Sequence, residues 1–224
     1  MRYQELTESP TSTPLDVSSH KEIAHILNTE CSDIIKAYKQ TGKFLWRGIK
    51  GVNDSIVKST IDKNRRPLEM SGEVHDATNE ALTDLGFKAH RGNSIFTTPN
   101  INTTDSWGAP FVVFPKNGFE YTWFAEETIG DGYVYHRLND IRYDAKEYYS
   151  QEGLNQTDSD WDFFLIDYFR KRIPELKPTN KNIVEALNRD AEVLITGDYY
   201  YAVDETMSKY IDRWVGIERP WDLK

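Results

Sequence analysis

Two carboxylates stand two residues apart in Asp190-Ala191-Glu192, just before the apolar run Val193-Leu194-Ile195. In extended backbone, residues i and i+2 point to one face, so the spacing predicts that Asp190 and Glu192 look into a common space. Acids this close repel each other, and setting them beside a buried strand costs free energy unless cations or hydroxyls compensate. The chain offers both: Arg47 in Phe44-Leu45-Trp46-Arg47-Gly48, and the hydroxyls of Ser94-Ile95-Phe96-Thr97-Thr98. Paired carboxylates suit the stabilisation of positive charge and the handling of a proton. The space before Asp190 and Glu192 is therefore the candidate active site. The plainer alternative is a pair of solvated charges at a helix–strand junction.

The elements that must position these residues follow from periodicity. The first 18 residues, rich in Ser, Thr and Pro, read as an arm with little order of its own, and folding starts at Ser19. Ser19-His20-Lys21-Glu22 is a capping box, and Ile23, Leu27, Cys31, Ile34, Ile35 and Tyr38 recur at helical spacing until Gly42. Cys31 lies on that stripe and reads as a small buried hydrophobe, not a nucleophile. Phe44 to Ile49 reads as a strand with Trp46 and Arg47 on opposite faces, and Val52 to Met70 as a polar stretch. Arg65 and Arg66 lie in it, either as solvated charges or as phosphate contacts. Ser71 caps a helix carrying Val74, Thr78, Ala81, Leu82 and Leu85, and Arg91-Gly92-Asn93 forms a turn before the Ser94 to Thr98 strand. His75 and His90 lack ligand-spaced partners and read as structural or exposed.

Trp107 to Trp123 reads as a hairpin about Pro115-Lys116-Asn117-Gly118. Ala125 to Ser159 is the least legible part, with short strand or helix pieces about Tyr133 to Arg137. A helix with Trp161, Phe164, Leu165, Tyr168 and Phe169 ends at Pro174, and Thr179 caps another with Ile183, Val184 and Leu187. Glu192 to Thr196 and Tyr199 to Val203 read as a final strand pair about Gly197-Asp198, followed by a helix from Met207 to Trp214.

At 224 residues the chain suits one domain, spanning 19–224 after the arm. The net charge of −9, with cations and acids interspersed, argues against a large nucleic-acid footprint. A single cysteine allows no intrachain disulfide and no zinc cluster is apparent, which favours a reducing compartment and no metal. No secretory signal or membrane-length apolar run is found, so the expectation is a cytoplasmic protein without a membrane partner.

In this order, an Arg-Gly strand, a Ser/Thr strand and an acidic strand resemble the Arg–Ser–Glu group of mono-ADP-ribosyltransferases, as found in bacterial toxins and phages. The resemblance runs from about Phe44 to Val203 and implies an α+β fold in which two packed, mainly antiparallel sheets, flanked by helices, form a cleft for NAD. It implies that Arg47 binds NAD phosphate or ribose, its fork matched to oxyanions. Gly48 offers backbone groups to the nicotinamide amide. The Ser-Thr-Ser strand is matched approximately, by Ser94, Thr97 and Thr98, with Thr97 in the leading place and Ser94 as its alternative. Trp107 or Phe111 would stack on nicotinamide, unless they are core.

By the same resemblance, NAD is a substrate. Cleaving its N-glycosidic bond leaves an oxocarbenium-like ribose that Glu192 would stabilise, as a carboxylate does in glycosidases. A Thr97 hydroxyl would hold Glu192 in its rotamer, and Asp190 would orient or deprotonate the nucleophile of a macromolecular acceptor, expected to be a protein. The site of action would be the cytoplasm, including a host's, or a virion. Two alternatives remain at this point: an NAD glycohydrolase, and a non-catalytic interaction or virion protein on the same fold. The Asp at the first acidic position, where the family carries Glu or Gln, leaves the acceptor open.

Overall fold

In the computed structural model, which describes residues 12–15, 19–66, 70–104, 107–126, 133–153 and 160–217, the first helical pattern is broken once. The break falls at Cys31 and gives α1 (His20–Glu30) and α2 (Ser32–Thr41). Asn117 fills it. Its Nδ2 and N–H donate to the carbonyls of Thr29 (2.9 Å) and Glu30 (2.6 Å), and its Oδ1 accepts from the Asp33 N–H (3.0 Å). One side chain thus satisfies orphan groups of two helix ends at once. Burial pushes the Cys31 thiol up to about 12, so it stays protonated, as its place on the stripe implies.

Among the described residues, nine strands form two antiparallel sheets. The first has the order β1 (Ser12–Pro14), β3 (Ile56–Thr60), β9 (Tyr199–Asp204), β5 (Ala109–Pro115), β2 (Trp46–Ile49). The second has the order β4 (Ile95–Thr97), β8 (Val193–Thr196), β6 (Glu120–Phe124), β7 (Pro178–Thr179). The expected hairpins are therefore corrected. β5 pairs with β2 and β9, whereas β6 pairs with β8 and β7, so the Asn-Gly turn carries the chain from one sheet to the other. Gly197-Asp198 does the same between β8 and β9. Each turn joins strands that share a core instead of a ladder: Phe111, Phe114, Tyr200 and Val203 of one sheet lie in one cluster with Trp123, Val193 and Ile195 of the other. The inner faces of α1, α2, α6 (Ile183–Asn188) and α7 (Ser208–Val215) complete that core.

A second core joins α3 (Gly72–Asp84), α4 (Tyr133–Gln151) and α5 (Trp161–Arg172). The 19-residue α4 replaces the short pieces expected about Tyr133, and 127–132 and 154–159 lie outside the described residues. Within the expected arm, Ser12–Pro14 pairs with β3 as an edge strand, and 1–11 and 16–18 lie outside the described residues. The N-cap of α6 is Asn182, not Thr179, which belongs to β7. No helix of the described residues is long and apolar enough to cross a membrane.

Candidate active site

Among the described residues, one residue pair bridges the two sheets edge to edge. Trp46 of β2 and Thr98, just past β4, exchange both backbone hydrogen bonds, at 2.7 and 2.9 Å. The Arg-Gly strand, the Ser/Thr strand and the acidic strand are thus consecutive neighbours, since β4 in turn pairs with β8. Beyond the bridge, β2 and β4 part. Backbone groups alternate in direction along a strand, so those of Ser94 and Phe96 point the same way as Thr98's, into the opening. Arginines take these carbonyls in place of a strand: Arg47 Nη1 donates to Phe96 O (3.3 Å) and Arg65 Nη1 to Ser94 O. By the same alternation Gly48, two residues past Trp46, turns its N–H and C=O toward the opening. Gly48 is needed for packing as well, because a β-carbon there would lie 2.5 Å from Thr104 O and 2.7 Å from Trp107 Cβ.

Register decides which side chains reach the carboxylate. Ile95 and Thr97 lie opposite Ile195 and Val193, on the face that joins the main core, whereas Phe96 lies opposite Leu194 on the other face. Glu192, two residues before Leu194, continues that second face, with Thr98 across from it. This corrects the expectation for Thr97: its buried hydroxyl donates to Val193 O (2.9 Å), not to Glu192. The Ser94 hydroxyl is spent on Asn93 Oδ1 (3.0 Å), and the Thr98 hydroxyl accepts from the Asn100 N–H (3.1 Å). Phe111 is fully buried in the main core and does not face the opening, whereas Trp107 is half-buried beside Gly48.

Glu192 pairs with Arg91, the first residue of the Arg91-Gly92-Asn93 turn, at 3.3 Å. The Arg91 and Arg65 guanidiniums lie 4.4 and 4.7 Å from the centre of the Phe96 ring. Burial pushes the Glu192 carboxyl above the ordinary range, and the charges of Arg91 and Arg65 pull it part of the way back. Arg66, by contrast, pairs with Asp76 at the surface. In the sequence Phe96 is an ordinary hydrophobe and Arg91 a turn cation, while Arg65 reads either as a solvated charge or as a phosphate contact. For Phe96 the signal is the odd–even alternation about Thr97, which puts Phe96 and not Thr97 on the Glu192 side, whereas no spacing ties Arg65 or Arg91 to it.

Asp190 is not brought to this site, and the expectation of one shared face is corrected. The strand begins at Val193, and Asp190 is the left-handed residue (φ 54°) that closes α6. Its N–H donates to Leu187 O (3.4 Å) and that of Ala191 to Ala186 O (3.1 Å), the double bond of a Schellman termination. Its half-exposed carboxylate binds Lys43 (2.8 Å), whose ammonium also meets Asn188 O (3.4 Å) at the negative end of the helix.

A cavity of about 330 Å³ lies elsewhere, between β1, α1 and β3, and is lined by Leu15, His20, Asp54 and Met207 among others. The opening at β2 and β4 instead places two guanidiniums, of Arg91 and Arg65, about one carboxylate and one half-buried ring, with that of Arg47 on the Phe96 carbonyl. The excess of positive charge suits a polyanion such as a pyrophosphate, and the carboxylate suits a cationic centre beside it. No family model matches this chain, and no curated protein or solved structure matches it.

Proposed function

We propose that the chain binds NAD in the opening between β2 and β4 and transfers its ADP-ribose to a macromolecular acceptor, releasing nicotinamide. One observation carries this reading: the three strands bearing Arg47, the Ser/Thr run and Glu192 are successive neighbours, parted where Arg47 and the backbone of Gly48 face the gap. The pyrophosphate would take the guanidiniums of Arg47 and Arg65 from the carbonyls they now cap, and Trp107 is the aromatic placed near Gly48. As the C1′–N bond breaks, its electron pair goes to nicotinamide, which leaves neutral. The ribose carbon gains positive charge beside Glu192 and then bonds to the nucleophile, whose proton passes to solvent or a base.

A second reading, NAD hydrolysis by water, draws on the position of Asp190. The acid expected to orient an acceptor is engaged with Lys43 away from Glu192, and water needs little orientation. Incubating the purified chain with NAD labelled in its adenylate half, with and without a cell lysate, tests both. Label retained on a macromolecule supports transfer. Free ADP-ribose alone supports hydrolysis, and intact NAD in both samples contradicts the enzyme.

A further inference from the structure

Arg91 and Glu192 are both nearly withdrawn from solvent, their side chains 10% and 13% exposed. The Arg91 Nε is buried and makes no hydrogen bond. The turn that carries Arg91 is fixed from several sides: Asn79 Oδ1 accepts from the Gly92 N–H (3.1 Å), and Asn93 Oδ1 accepts from the His90 N–H (3.0 Å). A β-carbon on Gly92 would lie 2.8 Å from Asn79 Nδ2, so α3 presses directly on this turn. For stability alone this is a costly arrangement, since well-packed apolar residues usually serve as well as a buried ion pair. It has a use if the carboxylate must stay ionised and aimed where water is scarce. The hydroxyls of Ser94 and Thr97 do not serve that end, being spent on Asn93 and Val193.

We propose that Arg91 is the positioning residue of Glu192, fixing the direction and the charge of the carboxylate through their ion pair on the Phe96 face. The inference rests on Glu192 as the group beside the ribose. The charges that face Glu192 are Arg91 and Arg65, and those that face Arg91 in turn include Tyr135 of α4 and His75 of α3. Arg91 stays charged despite its burial, because a guanidinium starts from so high a value. Removing it leaves Glu192 desolvated with only Arg65 in support.

The test is Arg91→Gln in the full chain, labelled with 13C-glutamate, the Glu192 signal being identified by its loss in Glu192→Gln. The Glu192 titration midpoint should move up by about one pH unit or more. Nicotinamide release at neutral pH should fall ~10- to 100-fold with little change in KM, and the acidic limb of the rate profile should move with the midpoint. Arg91→Lys should restore the titration but only part of kcat, because it keeps the charge and loses the fork. An unmoved Glu192 midpoint in folded Arg91→Gln overturns the proposal. If the Gln variant does not fold, Arg91→Lys decides: reduced kcat with unchanged KM supports the role, and wild-type kcat overturns it. A wild-type chain that releases no nicotinamide contradicts the NAD reading instead, and the NMR midpoint still decides whether Arg91 governs Glu192.

Discussion

Asp190 and Glu192 are two residues apart and do different work. Glu192 is desolvated and ion-paired, whereas Asp190 holds a left-handed turn and a surface lysine. An L side chain in that conformation costs about 1 kcal/mol that glycine does not incur, and the exposed ion pair contributes less than that. Asp190→Gly should therefore unfold at the same temperature or slightly higher, while Asp190→Ala, which keeps the left-handed cost and loses the ion pair, should be less stable by under about 1 kcal/mol. Thermal denaturation of the two variants measures this. Nicotinamide release should be unchanged in Asp190→Gly, and a large drop there would return Asp190 to the reacting centre. The acidic pair was thus legible as residues and misleading as geometry. Spacing alone does not tell a strand entrance from a Schellman turn, because the latter usually declares itself with glycine and here uses aspartate.

At the scale of elements, the Asn-Gly turn is where a sequence signal was read correctly as a turn and wrongly as a hairpin. Its asparagine binds the broken helix instead, with three donor or acceptor atoms engaged on α1 and α2. Asn117→Ala should cost about 1–3 kcal/mol in urea denaturation, since it uncaps both ends together. A loss below a few tenths of a kcal/mol would mean that water replaces the side chain freely. Next to this break, the Glu30 carboxyl is held below its ordinary range, first by the Tyr199 hydroxyl (2.5 Å) and then by the Tyr201 hydroxyl and nearby lysines. Folding lowers this pKa, so the ionised group contributes stability above its unfolded value, a contribution lost as pH falls through the folded value. Glu30→Gln should accordingly flatten the stability profile on the acid side of about pH 5. Parallel wild-type and variant profiles across that range would refute the assignment. The β3 strand and α4 were missed for a related reason: their buried residues, Val57 and Ser59 or Val134, Leu138, Ile141 and Ala145, are diluted by polar companions that composition weighs equally.

Across the whole molecule, the α+β class, two antiparallel sheets and most helices follow from patterns in the chain, but the way the sheets meet does not. Strand pairing between Trp46 and Thr98 joins residues 52 positions apart with no turn between them to announce it. That single bridge makes neighbours of the three motif strands, with Arg47 on the Phe96 carbonyl at the opening and Arg65 and Arg91 beside Glu192. The central claim, that this opening cleaves NAD at a ribose held beside Glu192, is tested most directly by nicotinamide release from NAD in wild type and Glu192→Gln. The variant loses a charge from a buried pair and should be less stable by about 2–3 kcal/mol, so the rate is to be measured where both remain folded. Release by wild type that falls at least ~100-fold in the variant is the predicted result. Equal release by the two proteins, or none by either, would contradict the account.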